Sequence, residues 1–262
     1  MSDVVLYAQK AHIARITINR PEARNALSPD VNARLLEFFH RAKEEKEARV
    51  VVLSGAGGRA FSAGADLGGG GMFQQDQSFL EKHDARGGFL ELFRVMHSLG
   101  KPIIAAVQGY CLAGGFGLAL ACDLLIASDD AVFGTPEIKR GLFPMIILAT
   151  IIRNIGRKKT LELILTGERI DAAEAYRIGL ANRVVSREKF DAEVDEMGRR
   201  LASLSPAILK LGKDAFYHCQ DMHFDDALEF LKSQLTLNVL TEDVAEGIAA
   251  FLEKRDPVWK GR

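Results

Sequence analysis

Two apolar, β-branched runs each lead straight into a stretch of small residues, and this pairing constrains the fold more than any other feature. Residues 49–54 (RVVVLS) run into GAGGRAFSAGADLGGGGM, and residues 102–108 (PIIAAVQ) run into GYCLAGGFGLALACD. Short unbroken apolar runs read as strands buried on both faces, as in parallel sheets covered by helices. Residues 12–19 (HIARITIN) predict another strand, with Ile13, Ile16 and Ile18 among polar positions, and LLIAS and AVFG predict two more. Ser28 followed by Pro29 predicts a helix start, and the helix runs through Leu35, Leu36 and Phe39 into a solvated charged run near 43–47. Residues 74–99 read as helical with interruptions at Gly87 and Gly88, and the segment near 68–88 is expected to be mobile. From about residue 144 the pattern is helical, with breaks near Gly156, Gly167, 179–182 and 203–206 and a short strand at Arg183–Val185. Strands alternating with helices, followed by helices alone, predict an α/β core with an all-helical C-terminal part.

Bulk properties exclude several classes. A net charge of −1 offers no global attraction to phosphate backbones or anionic membranes, so neither nucleic acid nor membrane is an expected partner. The N-terminus shows neither a secretory nor a transit pattern, and no apolar run approaches the roughly 20 residues needed to span a bilayer. Cys111, Cys122 and Cys219 form no CxxC pair and no metal-ligand spacing, which predicts reduced thiols in a cytoplasmic protein. No metal site is predicted, and the six histidines read as surface or core residues.

Three stretches are able to carry chemistry. Phe61–Leu67 (FSAGADL) follows a buried strand, and its backbone N–H groups can be left pointing at a ligand oxygen. Gly109–Gly117 (GYCLAGGFG) opens a helix, so the Gly114 N–H lacks an intrahelical acceptor and can donate to a developing anion. Thr135-Pro136-Glu137 places a carboxylate beside the apolar run Gly141–Ile147, where a raised pKa would suit proton transfer. On the residues alone each has a plain alternative: a small-residue turn, a glycine chosen for tight helix–sheet packing, and a solvated loop glutamate.

Taken in order, six blocks resemble the enoyl-CoA hydratase/isomerase (crotonase) family: NRPEARNALS (19–28), FSAGADL (61–67), GYCLAGGFGLALACDLLIAS (109–128), FGTPEIKRGL (133–142), LTGERIDAAEAYRIGLANRVV (165–185) and EGIAAFLEKRDPVWKGR (246–262). The resemblance implies a crotonase-like spiral of ββα units over 1–195 and a C-terminal helical trimerisation region over 196–262, with assembly into a homotrimer or homohexamer. It implies an acyl-CoA substrate, with coenzyme A as part of that substrate and no separate cofactor. It places the thioester oxygen in an oxyanion hole between the N–H groups of Ala65 and Gly114, where two preorganised donors stabilise an enolate. It places Arg24 at the CoA phosphates and Ala63, Asp66 and Leu67 along the adenine and pantetheine path. Phe251 and Lys254 are placed over the nucleotide end.

The chain departs from the family pattern at two points. Typical hydratases carry one glutamate three residues after the oxyanion glycine and a second at the Glu137 position; here the first position is Gly117. Position 117 lies one helical turn after Gly114, and the glycine is expected to leave that corner of the pocket empty. Family isomerases often keep only the second glutamate, so Glu137 alone favours double-bond isomerisation or atypical hydration. Asp84 and Glu91 remain candidates for a substitute acid. The second departure is Pro144–Ile147, where many relatives have a glycine-rich turn; it predicts an apolar, short acyl pocket. A CoA-thioester hydrolase on the same scaffold and a non-catalytic acyl-CoA binder are the alternatives. Gly55–Ala60 fits GxGxxA, a dinucleotide-binding cue, but no helix is predicted to follow it.

Overall fold

A computed structural model of the chain describes residues 3–68, 78–84 and 87–262. The chain opens with a hairpin of β1 (Val5–Lys10) and β2 (Ile13–Ile18), followed by α1 (Pro29–Glu44). The Ser28 hydroxyl accepts from the Val31 N–H at 3.3 Å and Pro29 is the first helical residue, so the predicted helix start is observed. Then come β3 (Val50–Gly55), β4 (Ala60–Ser62), α2 (Phe79–Asp84) and α3 (Gly87–His97). The next turn consists of β5 (Ile103–Val107), β6 (Tyr110–Leu112) and α4 (Gly114–Leu120). The following one adds β7 (Leu124–Ser128), β8 (Val132–Gly134), α5 (Met145–Asn154) and α6 (Arg157–Thr166). The core closes with β9 (Arg169–Asp171), α7 (Ala172–Arg177), β10 (Arg183–Val185) and α8 (Phe190–Ala202), and the chain ends in α9 (Pro206–Cys219), α10 (Phe224–Val239) and α11 (Glu242–Glu253).

Each of three successive turns gives one strand to a large sheet and the next to a small one. The large sheet has the order β1-β2-β3-β5-β7-β10 and is parallel except for β1 against β2. The small sheet has the order β4-β6-β8-β9, with β9 antiparallel to β8. Side chains alternate across the large sheet. Val51, Leu53, Ile103 and Ala105 join the main core beneath α1, α3 and α4, while Val50, Val52, Ile104 and Ala106 pack against Phe190, Val194 and Ala202 of α8. Burial on both faces is why these strands read as unbroken apolar runs. Residue 195 lies within α8, and the chain leaves the sheet at the turn before α9.

The sequence pattern did not predict β1. Its hairpin turn is Ala11-His12, both left-handed (φ 50° and 65°), in place of the Asn-Gly or Asp-Gly that usually signals a two-residue turn. Most of the segment expected to be mobile lies outside the described residues.

One buried polar cluster ties α9 to the core. Asp123 accepts from the Ile103 N–H, from Lys213 Nζ and from the Tyr217 hydroxyl, each at 2.7 Å. Lys213 Nζ also donates to the Met96 and Lys101 carbonyls at 3.1 and 3.0 Å. Burial pushes the Lys213 pKa down, but the hydrogen bonds hold its ammonium in place. Removing one partner of a buried pair strands the other charge. Lys213→Ala is therefore expected to lower stability by about 3–5 kcal/mol, read as a fall in the thermal or urea unfolding midpoint.

Candidate active site

The site begins where two strands of the small sheet end side by side. β4 pairs in parallel with β6, with Ala60 opposite Tyr110 and Ser62 opposite Cys111, so the chain leaves the sheet after Ser62 and after Leu112 at the same end. Gly64 has a φ of +94°, and a Cβ there would fall 2.6 Å from Ala113 Cβ, so the crossing admits only glycine. Ala113, at φ 51° and ψ −128°, is a non-glycine residue in a sparsely populated region, and its N–H donates to the Gly134 carbonyl at 2.9 Å. Strain of this kind persists only where the surroundings over-determine it. Here it turns the chain into α4 with the Gly114 N–H at the helix start.

Neither the Ala65 nor the Gly114 N–H has an acceptor among the described residues. Leu27 bridges the first exit: its N–H donates to the Gly64 carbonyl at 2.8 Å, and its carbonyl accepts from the Asp66 N–H at 3.1 Å. These bonds flank Ala65 and leave its N–H free. The Ala65 nitrogen lies 3.8 Å from the point where a Cβ on Gly114 would stand, so the two donors are neighbours.

Both donors open into a cavity of about 490 Å³. Pro29, Asn32, Ala33 and Leu36 of α1 form one wall, Phe89 of α3 another, and Phe143, Pro144, Met145, Ile146 and Ile147 a third. Glu137, in a short 3-10 turn (Pro136–Arg140), projects into the same space. Its Oε2 is buried without a hydrogen-bond partner. Burial raises its pKa above the ordinary 4.5, against smaller opposing effects of its own backbone N–H and of Arg140. An apolar pocket holding a carboxylate with one unpartnered oxygen and two free amide donors suits a substrate that gains negative charge on oxygen as it loses a proton.

The family model for enoyl-CoA hydratase/isomerase matches residues 8–262. The chain belongs to the enoyl-CoA hydratase/isomerase family. It is 35% identical over 275 residues to a carnitinyl-CoA dehydratase of Escherichia coli, with all of both proteins covered. The solved enoyl-CoA hydratase of Mycobacterium smegmatis superposes with a TM-score of 0.92 at 33% identity, covering 98% of each chain. Human enoyl-CoA hydratase domain-containing protein 3 also superposes at 0.92, with 30% identity over 98% of this chain and 100% of that one. The spiral of ββα units is thus the crotonase fold, and the chain is an enzyme of a family that acts on CoA thioesters.

The structure corrects one expectation about this family member. The corner at Gly117 is not empty. Gly117 is buried, and a Cβ there would fall inside the van der Waals envelope of Ile147 Cγ2 and Cβ. Ile147, from the stretch that replaces the glycine-rich turn, lines the cavity and is 3% exposed. The two departures from the family pattern are therefore one interlock: the side chain missing from α4 is replaced by one from α5. Of the candidate substitute acids, Glu91 pairs with Arg94 on α3 at 3.4 Å and is not among the residues lining the cavity, while the side chain of Asp84 lies outside the described residues.

Other expected site residues are dispersed. Asp66 lines the cavity and pairs with Arg20 at 2.8 Å. Leu67 is 54% exposed just beyond it, and the Ala63 N–H donates to the Arg24 carbonyl at 3.0 Å. Arg24 lines a second, polar cavity together with Arg59, Tyr110 and Arg187. Phe251 is 82% exposed beside a groove formed by α9 and α11, and Lys254 caps α11 with a φ of 55°; one chain does not bring either to the Glu137 cavity.

Sequence reasoning missed two asparagines. Asn25, fully buried at φ 55°, donates to the Ala56 and Ala60 carbonyls at 3.0 and 2.7 Å and accepts from the Arg20 N–H at 3.0 Å, clamping the loop before α1 to the β3–β4 turn. Asn32 stands on the cavity face of α1; its signal was a polar residue at i+3 between Pro29 and Leu36 on one helix face.

The interlock is directly testable by a double-mutant cycle. Gly117→Ala is expected to cost about 1–3 kcal/mol by overpacking, and Ile147→Gly, which removes both the Cγ2 and the Cβ that a side chain at 117 would meet, about 3–6 kcal/mol by leaving a cavity and a helical glycine. The double variant should lose clearly less than their sum in urea unfolding, because each change relieves the other.

Proposed function

We propose that the enzyme stabilises the enolate of an acyl-CoA thioester and shifts a double bond between positions 3 and 2 with Glu137 as its single proton carrier. The Ala65 and Gly114 N–H groups hold the thioester oxygen. The Glu137 carboxylate takes a proton from the α-carbon, and the electron pair moves through the carbonyl carbon onto that oxygen, giving a dienolate. Glu137, now a carboxylic acid, returns the proton to the γ-carbon as the electron pair withdraws, leaving the 2-enoyl thioester.

The Gly117–Ile147 interlock carries this reading. It fills the position one turn after Gly114 with an apolar side chain. Among the described residues lining the cavity, the other carboxylate, Asp66, is paired with Arg20. Hydration needs a positioned water as well as a proton carrier, and an apolar plug disfavours it. The relatives named hydratase and dehydratase favour the opposite direction, addition or loss of water, so the assay must separate the two.

Arg24 is placed at the CoA phosphates, with Ala63, Asp66 and Leu67 along the route from the strand exit. Phe251 and Lys254 would reach the nucleotide only from another copy of the chain. Exposed apolar side chains along α9 to α11, among them Phe216, Leu228, Leu235, Ile248 and Phe251, support a homotrimer or a dimer of trimers. Light scattering should give three or six times the chain mass; a monomer would remove this part of the reading.

With trans-3-hexenoyl-CoA the expected product is the 2-enoyl isomer, unchanged in mass and resolved by chromatography. Crotonyl-CoA should gain no water. Glu137→Gln is expected to slow isomerisation by about 100- to 10,000-fold; unchanged turnover would remove the assignment, and hydration of crotonyl-CoA lost in the variant would make the enzyme a hydratase. Because the carboxylate is the working form and burial raises its pKa, kcat/KM should fall with decreasing pH, with a midpoint above the ordinary 4.5. A profile with no acid limb above that value would contradict the role of Glu137.

A further inference from the structure

We infer that Arg20 is a positioning residue that aims the Ala65 N–H by holding the chain on both sides of it. This role rests on reading Ala65 as an oxyanion donor and adds what keeps that donor in place.

The two donors are supported unequally. Gly114 starts α4, and the Ala113 N–H before it is bonded to the Gly134 carbonyl at the end of β8. After β4 no helix or strand follows among the described residues up to Gly68. Ala65 rests there on an isolated parallel bridge to Leu27, made of two backbone hydrogen bonds, with one more from the Ala63 N–H to the Arg24 carbonyl. So small a bridge opens at low cost unless something else holds its two chains together.

Arg20 spans those two chains. Its Nη1 donates to the Ala26 carbonyl at 2.9 Å, one residue before Leu27, and pairs with Asp66 Oδ2 at 2.8 Å, one residue after Ala65. The Asp66 carboxylate is held at its other oxygen as well, where Oδ1 accepts from the Gly68 N–H at 3.1 Å. The Arg20 and Asp66 side chains are only 21% and 15% exposed, so salt and water screen the pair less than an exposed one. Arg20 is itself anchored: its N–H donates to Asn25 Oδ1 at 3.0 Å, and its carbonyl accepts from the Ala23 and Asn25 N–H groups at 3.0 and 2.8 Å. Its planar guanidinium is pre-organised for such a bridge, whereas a lysine ammonium sits on a more flexible stem.

Geometry decides what this clamp is worth. A donor stabilises an oxyanion when it stands about 2.7–3.1 Å from where the charge develops, and a misplacement of about 1 Å can cost about 100-fold in rate. Without Arg20, the residues on either side of the bridge lose their common tie, and the peptide unit carrying the Ala65 N–H is left to the few backbone bonds. The Gly114 donor, anchored at the start of α4, keeps its place. Loss of Arg20 therefore weakens one donor of the two and leaves the other, and Glu137, as they were.

The test uses butyryl-CoA isotope-labelled at the thioester carbonyl carbon and bound at saturation to the full-length enzyme. Infrared difference spectroscopy reads the carbonyl stretch, and exchange of the α-proton in deuterated buffer reads the rate. In wild type the carbonyl band is expected below that of the free ligand. Arg20→Met should move the band part of the way back and slow exchange by about 10- to 100-fold, whereas Glu137→Gln should slow exchange and leave the band in place. Arg20→Lys and Asp66→Asn, milder changes that guard against loss of the fold, should move the band in the same direction by less. A band at its wild-type position in all three Arg20 and Asp66 variants, whatever happens to the unfolding midpoint, would make the pair purely structural and overturn the inference. A wild-type band no lower than that of the free ligand would instead remove the oxyanion reading on which it rests. A lowered wild-type band without proton exchange would remove the Glu137 reading and leave Arg20 in place.

Discussion

The parallel pairing of β4 with β6 is the constraint on which the site depends. A parallel pair brings two like ends together, so the chain leaves the small sheet twice at the same edge. Each exit leaves a backbone donor without a partner, because the neighbouring groups are used elsewhere: Leu27 takes up the amides and carbonyls around Ala65, and Gly134 takes the Ala113 N–H. Asn25 fixes the first exit from behind by bridging the loop before α1 to the β3–β4 turn. The donors are thus held in place before any substrate arrives, the condition under which hydrogen bonds lower a barrier most.

Around these donors the fold assembles an apolar space and sets in its wall a carboxylate with one oxygen unpartnered. Burial that would be a defect in a structural glutamate suits a proton carrier, since it raises the pKa toward the working range. The interlock of Gly117 with Ile147 extends the same logic. A family scaffold able to hold a second acid on α4 is here closed by a hydrocarbon side chain from α5. Reaction type on such a scaffold is set by which side chains occupy a few positions around constant backbone donors.

Much of this was legible in the residues. The strands at 49–54 and 102–108, the cap at Ser28, the short strand at Arg183–Val185 and the helical C-terminal part all follow from local periodicity and punctuation. Glu137 and the two strand exits stood out because carboxylates beside apolar runs and small residues after strands are local signals. The strand β1 was not legible, because its turn uses Ala11 and His12 where the usual signal is glycine or asparagine. Gly117 was legible as a departure but not in its consequence.

The sequence by itself determined the α/β order, the family resemblance and the choice of Glu137 as the proposed proton carrier, because each depends on residues close together in the chain. Tertiary structure alone decided what fills the space beside Gly117, since Ile147 lies thirty residues away and reaches it only when α5 packs on α4. It alone decided that Asn32 lines the same cavity as Glu137, and that Arg24 and Phe251 line others. Periodicity reports which face of an element is apolar; which other element covers that face is settled by packing.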